Sequence, residues 1–188
     1  MIKAVIFDCF GVLVDSSYVP FRSKYFAGQQ DKLAEFSRLE DMSSKGDLEY
    51  SELIDKFAKL AGISVDLAVK ELADNPVNTE LFEYINASLK PSYKIGFLSN
   101  VGTDRVYELF TDDEVALFDN IVLSFQVGMA KPDARIYELA AERLGVEPHE
   151  CVFVDDVEHY LAGAATAGMQ TVHYTDYESF KESVAELL

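Results

Sequence analysis

MIKAVIFDCFGVLVD, residues 1–15, sets how the rest of the chain is read. Ala4, Val5, Ile6 and Phe7 form a continuous apolar run without helical spacing, the pattern of a strand buried on both faces. Asp8 stands where that strand ends, Gly11 follows, and Val12, Leu13 and Val14 lead the chain away towards Asp15. One aspartate after one strand is an ordinary polar terminator. Asp8 gains chemical meaning only if other polar residues close other strands beside it.

Later in the chain they do. Tyr93–Leu98, Ile121–Leu123, Cys151–Val154 and Thr171–Tyr174 read as further short strands. Helical signals separate them: a helix near Thr103, a capping box at Thr111–Glu114, and PDARIYELAAERLG with proline at its first position and Gly145 past its end. An Ala-rich helix then runs to Gly168, and another starts after Asp176. Strand alternating with helix predicts an α/β fold with a doubly wound, mainly parallel five-stranded sheet. In such sheets ligands sit beyond the carboxyl ends of the strands. Asp8, Ser99-Asn100 and Asp155-Asp156 follow the last apolar residue of their strands, and Lys131 lies in the loop after another. Four loops thus offer a carboxylate, a hydroxyl, a cation and a carboxylate pair to one edge.

Between the first strand and the rest, residues 16–89 read as helical. Tyr50, Leu53, Ile54, Phe57, Leu60 and Ala61 recur at helical spacing, with Asp47 as the expected cap and Gly62 as the stop. Ser64 opens a second helix that stops before Pro76. A third runs from about Asn78 with Leu81, Phe82, Ile85 and Leu89 on one face, and Tyr18–Met42 holds one or two more, interrupted near Gly28. The expected division is a core of residues 1–15 and 90–188 and a helical cap of residues 16–89.

Composition narrows the function. The chain has 188 residues, with 16 Lys and Arg against 33 Asp and Glu, a net charge of -17. That charge disfavours nucleic acid and anionic membranes as partners. An anionic substrate would need local positive charge from a metal ion, a lysine or backbone N–H groups. Cys9 and Cys151 fall at or within strand segments, without the spacing of a metal knuckle or disulfide framework, and read as small buried side chains. With no apolar run of transmembrane length and no signal-peptide pattern, a cytoplasmic protein is expected.

DCFGVLVD, LSN, the lysine of GMAKPDARIY and VFVDD, in that order, resemble the haloacid dehalogenase (HAD) superfamily of phosphatases and related enzymes. The likeness covers nearly the whole chain, and the helical block falls where members with a small helical cap carry it. VGMAKPDARIYELAAERLG most resembles the branch of small sugar-phosphate (glucose-1-phosphatase-like) phosphatases. The resemblance implies that Asp8 attacks a phosphorus atom to form an aspartyl-phosphate that water hydrolyses. A carboxylate, ionised at neutral pH, needs no base for this. Ser99 and backbone N–H groups near Asn100 would hold the phosphoryl oxygens, and Lys131 would neutralise their charge and hold Asp8. Asp155 and Asp156, converging on Asp8, would repel one another without a cation between them, and oxygen ligands beside a phosphate favour Mg2+. By resemblance its ligands are Asp8, Asp156 and the main-chain oxygen of Phe10, with Asp155 bound or just behind. The substrate so implied is a small phosphorylated metabolite.

Two residues depart from the pattern. Phosphatases of this superfamily usually carry a second Asp two residues after the nucleophile, which protonates the leaving group; that position is Phe10, and phenylalanine transfers no proton. The position four residues after Asp156, often acidic or amide, is Tyr160. An aromatic residue at position 10 resembles the dehalogenases, in which the Asp attacks carbon without a metal. Three readings follow: a Mg2+-dependent phosphohydrolase, a metal-independent dehalogenase-type hydrolase, or a non-catalytic binding protein on the same fold. His159 is a possible substitute acid, while His149 and His173 have no motif support. Tyr18, Phe21, Arg22, Tyr25 and Phe26 either line the cleft or form the core of the cap.

Overall fold

Five short strands, Ala4–Phe7 (β1), Lys94–Ser99 (β2), Asn120–Leu123 (β3), Cys151–Asp155 (β4) and Gln170–His173 (β5), form the sheet of the computed structural model. Its description covers the backbone of residues 1–188 and every side chain but that of Arg105. The strand order is β3-β2-β1-β4-β5 and every pair is parallel, so the expected doubly wound α/β sheet is present. Helices α1 (Tyr18–Phe26), α2 (Gln30–Ser44), α3 (Tyr50–Ala61) and α4 (Val65–Leu72) follow β1. Next come α5 (Thr79–Tyr84), α6 (Asp112–Val115), α7 (Ser124–Val127), α8 (Ala134–Leu144), α9 (Glu158–Thr166) and α10 (Tyr177–Leu187).

β1 is central and wholly buried, which is why its sequence is apolar at every position rather than at alternate ones. Its side chains divide by parity. Val5 and Phe7 join Leu81, Phe82, Ile85, Leu89, Phe180 and Val184 in one buried cluster. Ala4 and Ile6 join Ile136, Tyr137, Ala140, Leu144, Leu161 and Ala164 in another. Helices therefore cover both faces. A third cluster, containing Phe21, Phe26, Phe36, Leu53, Phe57 and Leu72, lies within α1–α4. The Phe36 and Phe57 rings stack in it with centroids 3.9 Å apart.

The helix from Asn78, grouped by sequence with the helical block, packs on the sheet instead. Asn78 caps it as expected, its side chain accepting from Leu81 N, but its apolar stripe finds β1 and β2 and not α1–α4. Its last turn, Ile85–Leu89, is a π-helix. Chain entry to and exit from α1–α4 are tied together: Asp15 N donates to Pro76 O (2.9 Å), Asn78 N to Leu13 O (2.9 Å) and Ser17 N to Asn75 Oδ1 (3.1 Å).

Local differences have local causes. α3 begins after Glu49, not Asp47, and ends at Gly62 in the left-handed conformation. Pro132 precedes the helix it was expected to open: Asp133 is the cap, accepting from Arg135 N, and α8 starts at Ala134. The segment after Thr103 is a 3-10 turn over Asp104–Glu108. β4 runs one residue further, through Asp155, and β5 spans Gln170–His173 and not Thr171–Tyr174.

Candidate active site

Strand register assembles the site. Phe7 is level with Phe97 and with Val154, so Asp8, Ser99 and Asp155 leave the same sheet edge within one or two residues of each other. Asp8 N donates to Val154 O at 2.9 Å, and the next turn closes with Leu13 N and Val14 N donating to Cys9 O. Gly11 is required here twice over. Its φ is +95°, and a Cβ would stand 2.3 Å from Asp156 Oδ2.

Lys131 is the centre of charge. Its Nζ lies 2.8 Å from Asp8 Oδ1 and 2.6 Å from Asp155 Oδ2, with the side chain 1% exposed. The Asn100 side chain clamps the Lys131 peptide on both sides, Oδ1 accepting from Lys131 N (2.9 Å) and Nδ2 donating to Lys131 O (3.0 Å). The rings of Tyr160 and Phe153 lie 4.7 and 5.3 Å from Nζ, close enough for cation–π attraction. Asp155 spends both oxygens: Oδ1 accepts from Val157 N (2.8 Å), and Oδ2 from Lys131. Asp156 differs. Its Oδ1 is buried with no hydrogen-bond partner among the described residues.

One ammonium thus faces three carboxylates whose oxygens lie within 4.8 Å of one another. Burial pushes the Asp8 carboxyl up to about 7; Lys131 opposes this and Asp155 adds to it. Burial and then Asp155 also raise Asp156. Burial alone would lower Lys131, but Asp155 and Asp8 outweigh it and hold the ammonium charged, above the ordinary lysine range. The residual negative charge and the orphaned Asp156 oxygen fit a hard cation with oxygen ligands.

Asp8, Phe10, Ser99, Asn100, Lys131 and Asp156 line a cavity of about 570 Å³ that is closed on its other side by residues of α1–α3. The structure therefore brings these six residues together, with Asp155 just beneath. Of the suggested cleft residues only Tyr18 and Arg22 reach the cavity; Phe21 and Phe26 are buried in the helical core, with Tyr25 packed against them. His159 lines the cavity but is exposed at the start of α9, its ring 4.2 Å from that of Tyr160.

 His173, which no motif marked, places Nε2 3.0 Å from the main-chain oxygen of Asp156. Ser124 was also missed: its Oγ accepts from Val101 N (2.9 Å) and donates to Val101 O (3.1 Å), fixing the loop after Ser99. The available signal was its position, a polar residue closing β3 as Ser99 closes β2.

Comparison with known proteins places this geometry. The putative phosphatase YhcW of Bacillus subtilis is 27% identical over 214 residues, covering 100% of this chain and 94% of that protein. The bifunctional epoxide hydrolase 2 of Sus scrofa is 44% identical over 62 residues, and that match spans only 11% of its length. Among solved structures, a HAD-family enzyme of Bacteroides thetaiotaomicron superposes with a TM-score of 0.75 at 22% identity, covering 97% of this chain and 98% of that one. The same enzyme, solved in complex with magnesium and inorganic phosphate, superposes with a TM-score of 0.71 at 22% identity, covering 93% and 95%. The profile of haloacid dehalogenase-like hydrolases matches residues 2–168, and the chain belongs to that family of hydrolases.

Proposed function

We propose that the protein is a Mg2+-dependent phosphohydrolase of a small phosphorylated metabolite, with Asp8 as nucleophile. The observation that carries this reading is the cluster of Asp8, Asp155 and Asp156, two of them paired with one buried ammonium, with Asp156 Oδ1 left without a hydrogen-bond partner among the described residues. Asp8, Asp156 and the main-chain oxygen of Phe10 would hold the metal. Asp155, with both oxygens engaged, holds Lys131 in place. When bound, Mg2+ supplies positive charge against Asp8, Asp156 and the phosphoryl oxygens.

In this reading Asp8 attacks phosphorus and forms an aspartyl-phosphate, and water then releases inorganic phosphate. Ser99 and the N–H groups near Asn100 hold the phosphoryl oxygens, and Lys131 neutralises their charge. The helices α1–α4 form a cap that closes the cavity from water, over a core made of the remaining chain. The likeness to the putative phosphatase YhcW and to a Bacteroides enzyme that binds magnesium and inorganic phosphate supports the reaction class. A cytoplasmic setting accords with two unpaired buried cysteines. No described helix is long and apolar enough to cross a membrane.

The test is turnover of p-nitrophenyl phosphate with and without Mg2+, set beside Asp8→Asn. The expected result is metal-dependent release of phosphate that the substitution abolishes. Phe10 favours a second reading, a metal-independent hydrolase attacking carbon. Release of halide from 2-chloropropionate, undiminished by a chelator and without phosphatase activity, would establish that reading instead.

A further inference from the structure

Phe10 lines the cavity beside Asp8 and leaves the reaction without a proton for the leaving group. The opposite wall offers one. Ser37, Glu40, Asp41 and Ser44, spaced i, i+3, i+4 and i+7 on α2, all line the cavity, while Phe36 and Leu39 turn into the aromatic cluster. The carboxyl end of α2 rests on the core: a Cβ on Gly102 would stand 1.9 Å from Ser43 Oγ, and one on Gly46 would stand 3.2 Å from Phe125 O. Gly102 lies three residues beyond Ser99. Glu40 precedes Ser43 by three residues, about 5 Å along the helix axis, and lines the same cavity as Asp8. Of the cavity-lining carboxylates besides Asp8 and Asp156, Asp41 and Glu108 are exposed, whereas the Glu40 side chain is 28% exposed, with Arg22 Nη1 at 4.0 Å.

We propose that Glu40 delivers the leaving-group proton that Phe10 cannot. The assignment rests on the phosphohydrolase reading above. As an Asp8 oxygen bonds to phosphorus, the bond from phosphorus to the leaving oxygen breaks, and that oxygen's electron pair takes the proton from Glu40. Water then attacks the phosphorus of the aspartyl-phosphate and gives a proton to the Glu40 carboxylate. The bond from Asp8 to phosphorus breaks and inorganic phosphate leaves, so Glu40 ends the cycle protonated as it began. Burial, opposed by Arg22, pushes the Glu40 carboxyl up to about 7, where a group can serve as acid and then as base at neutral pH.

The test compares two probes on the Mg2+-loaded protein: glycerol 2-phosphate, whose alkoxide must be protonated, and p-nitrophenyl phosphate, whose leaving group departs as an anion. Glu40→Gln should lower kcat/KM for glycerol 2-phosphate by about 10²-fold, with a far smaller loss for p-nitrophenyl phosphate. Adding Phe10→Asp to Glu40→Gln should restore alkyl turnover selectively, because it returns a proton donor from the other wall. The unsubstituted protein gives an independent measurement: across aryl phosphates of rising phenol pKa its rates should stay nearly flat. Equal losses on both probes, no loss on either, or a steep decline across the aryl series would overturn the role of Glu40. Absence of any p-nitrophenyl phosphate hydrolysis by the unsubstituted protein would instead overturn the phosphohydrolase reading on which it rests.

Discussion

The aromatic cluster of α1–α4 and the carboxyl edge of the sheet are both buried, yet they are built on opposite terms. The cluster is held by ring contacts among Phe21, Phe26, Phe36 and Phe57, each of which adds stability by leaving water. The sheet edge buries Asp8, Lys131 and Asp155 at 6%, 3% and 0% exposure, and its carboxylates outnumber its ammonium. Desolvating charges costs more there than one shared ammonium returns. The contrast teaches where each region's residues act: truncation should damage the first through stability, and neutralisation should relieve the second while removing its chemistry.

The largest expected effect is on that chemistry. Asp8→Asn should lower phosphatase turnover by about 10⁴-fold or more, since an amide forms no acyl-phosphate. In kinetics and calorimetry on one sample, the same variant at pH 8 without Mg2+ should melt above the unsubstituted protein. A lower melting temperature would break the contrast, because it would make Asp8 a net stabilising group.

Phe36→Ala tests the other region. Loss of a fully buried ring stacked on Phe57 should cost about 3–5 kcal/mol in urea unfolding. The folded fraction should keep its kcat within about twofold, because Phe36 does not line the cavity.

A smaller effect is carried by pH. The Asp8 and Glu40 carboxyls are both raised to about 7 from ordinary values of 3.8 and 4.5, so each binds its proton more tightly folded than unfolded. Their contribution to stability is fully present below those ordinary values and is lost as the pH rises through about 7. Metal-free protein should therefore lose on the order of 1–3 kcal/mol between pH 5 and pH 8, by urea titration. Mg2+ should stabilise more at pH 8 than at pH 5, because it competes with protons for Asp8. A flat profile in the absence of metal would show that Lys131 balances the cluster.

Gly11→Ala is the mildest change and sharpens the comparison most. It forces a side chain into positive φ and against Asp156, at a strain of about 1–3 kcal/mol. Titration with Mg2+ should show weakened binding, while the far-UV spectrum of the helices is unchanged.

Much of this was legible in sequence because the signals are local. The apolar runs of β1 and β4, the caps at Ser64, Asn78 and Thr111, and the polar residues closing β1, β2 and β4 depend on neighbours a few positions away. Motif order then added the family, and with it the expected roles of Asp8, Ser99, Lys131 and Asp156. The missed features span long separations. Asn100 clamps Lys131 across 31 residues, Ser124 fixes Val101 across 23, and His173 meets Asp156 across 17. No periodicity encodes such pairs.

What the sequence determined by itself is the alternation of strand and helix, and hence a parallel sheet with its polar residues at the carboxyl ends. What tertiary structure alone decided is how charge and burial are shared. The stripe of Leu81, Phe82, Ile85 and Leu89 packs on the sheet and not on the other helices, joining Val5, Phe7, Ile95 and Phe97 in one buried cluster. Strand register, set by β1 lying between β2 and β4, made Asp155 the anchor of Lys131 and left one Asp156 oxygen without a hydrogen-bond partner among the described residues. A carboxylate's role follows from which donors reach it and how far water is excluded, and both are properties of the packed chain, not of its order.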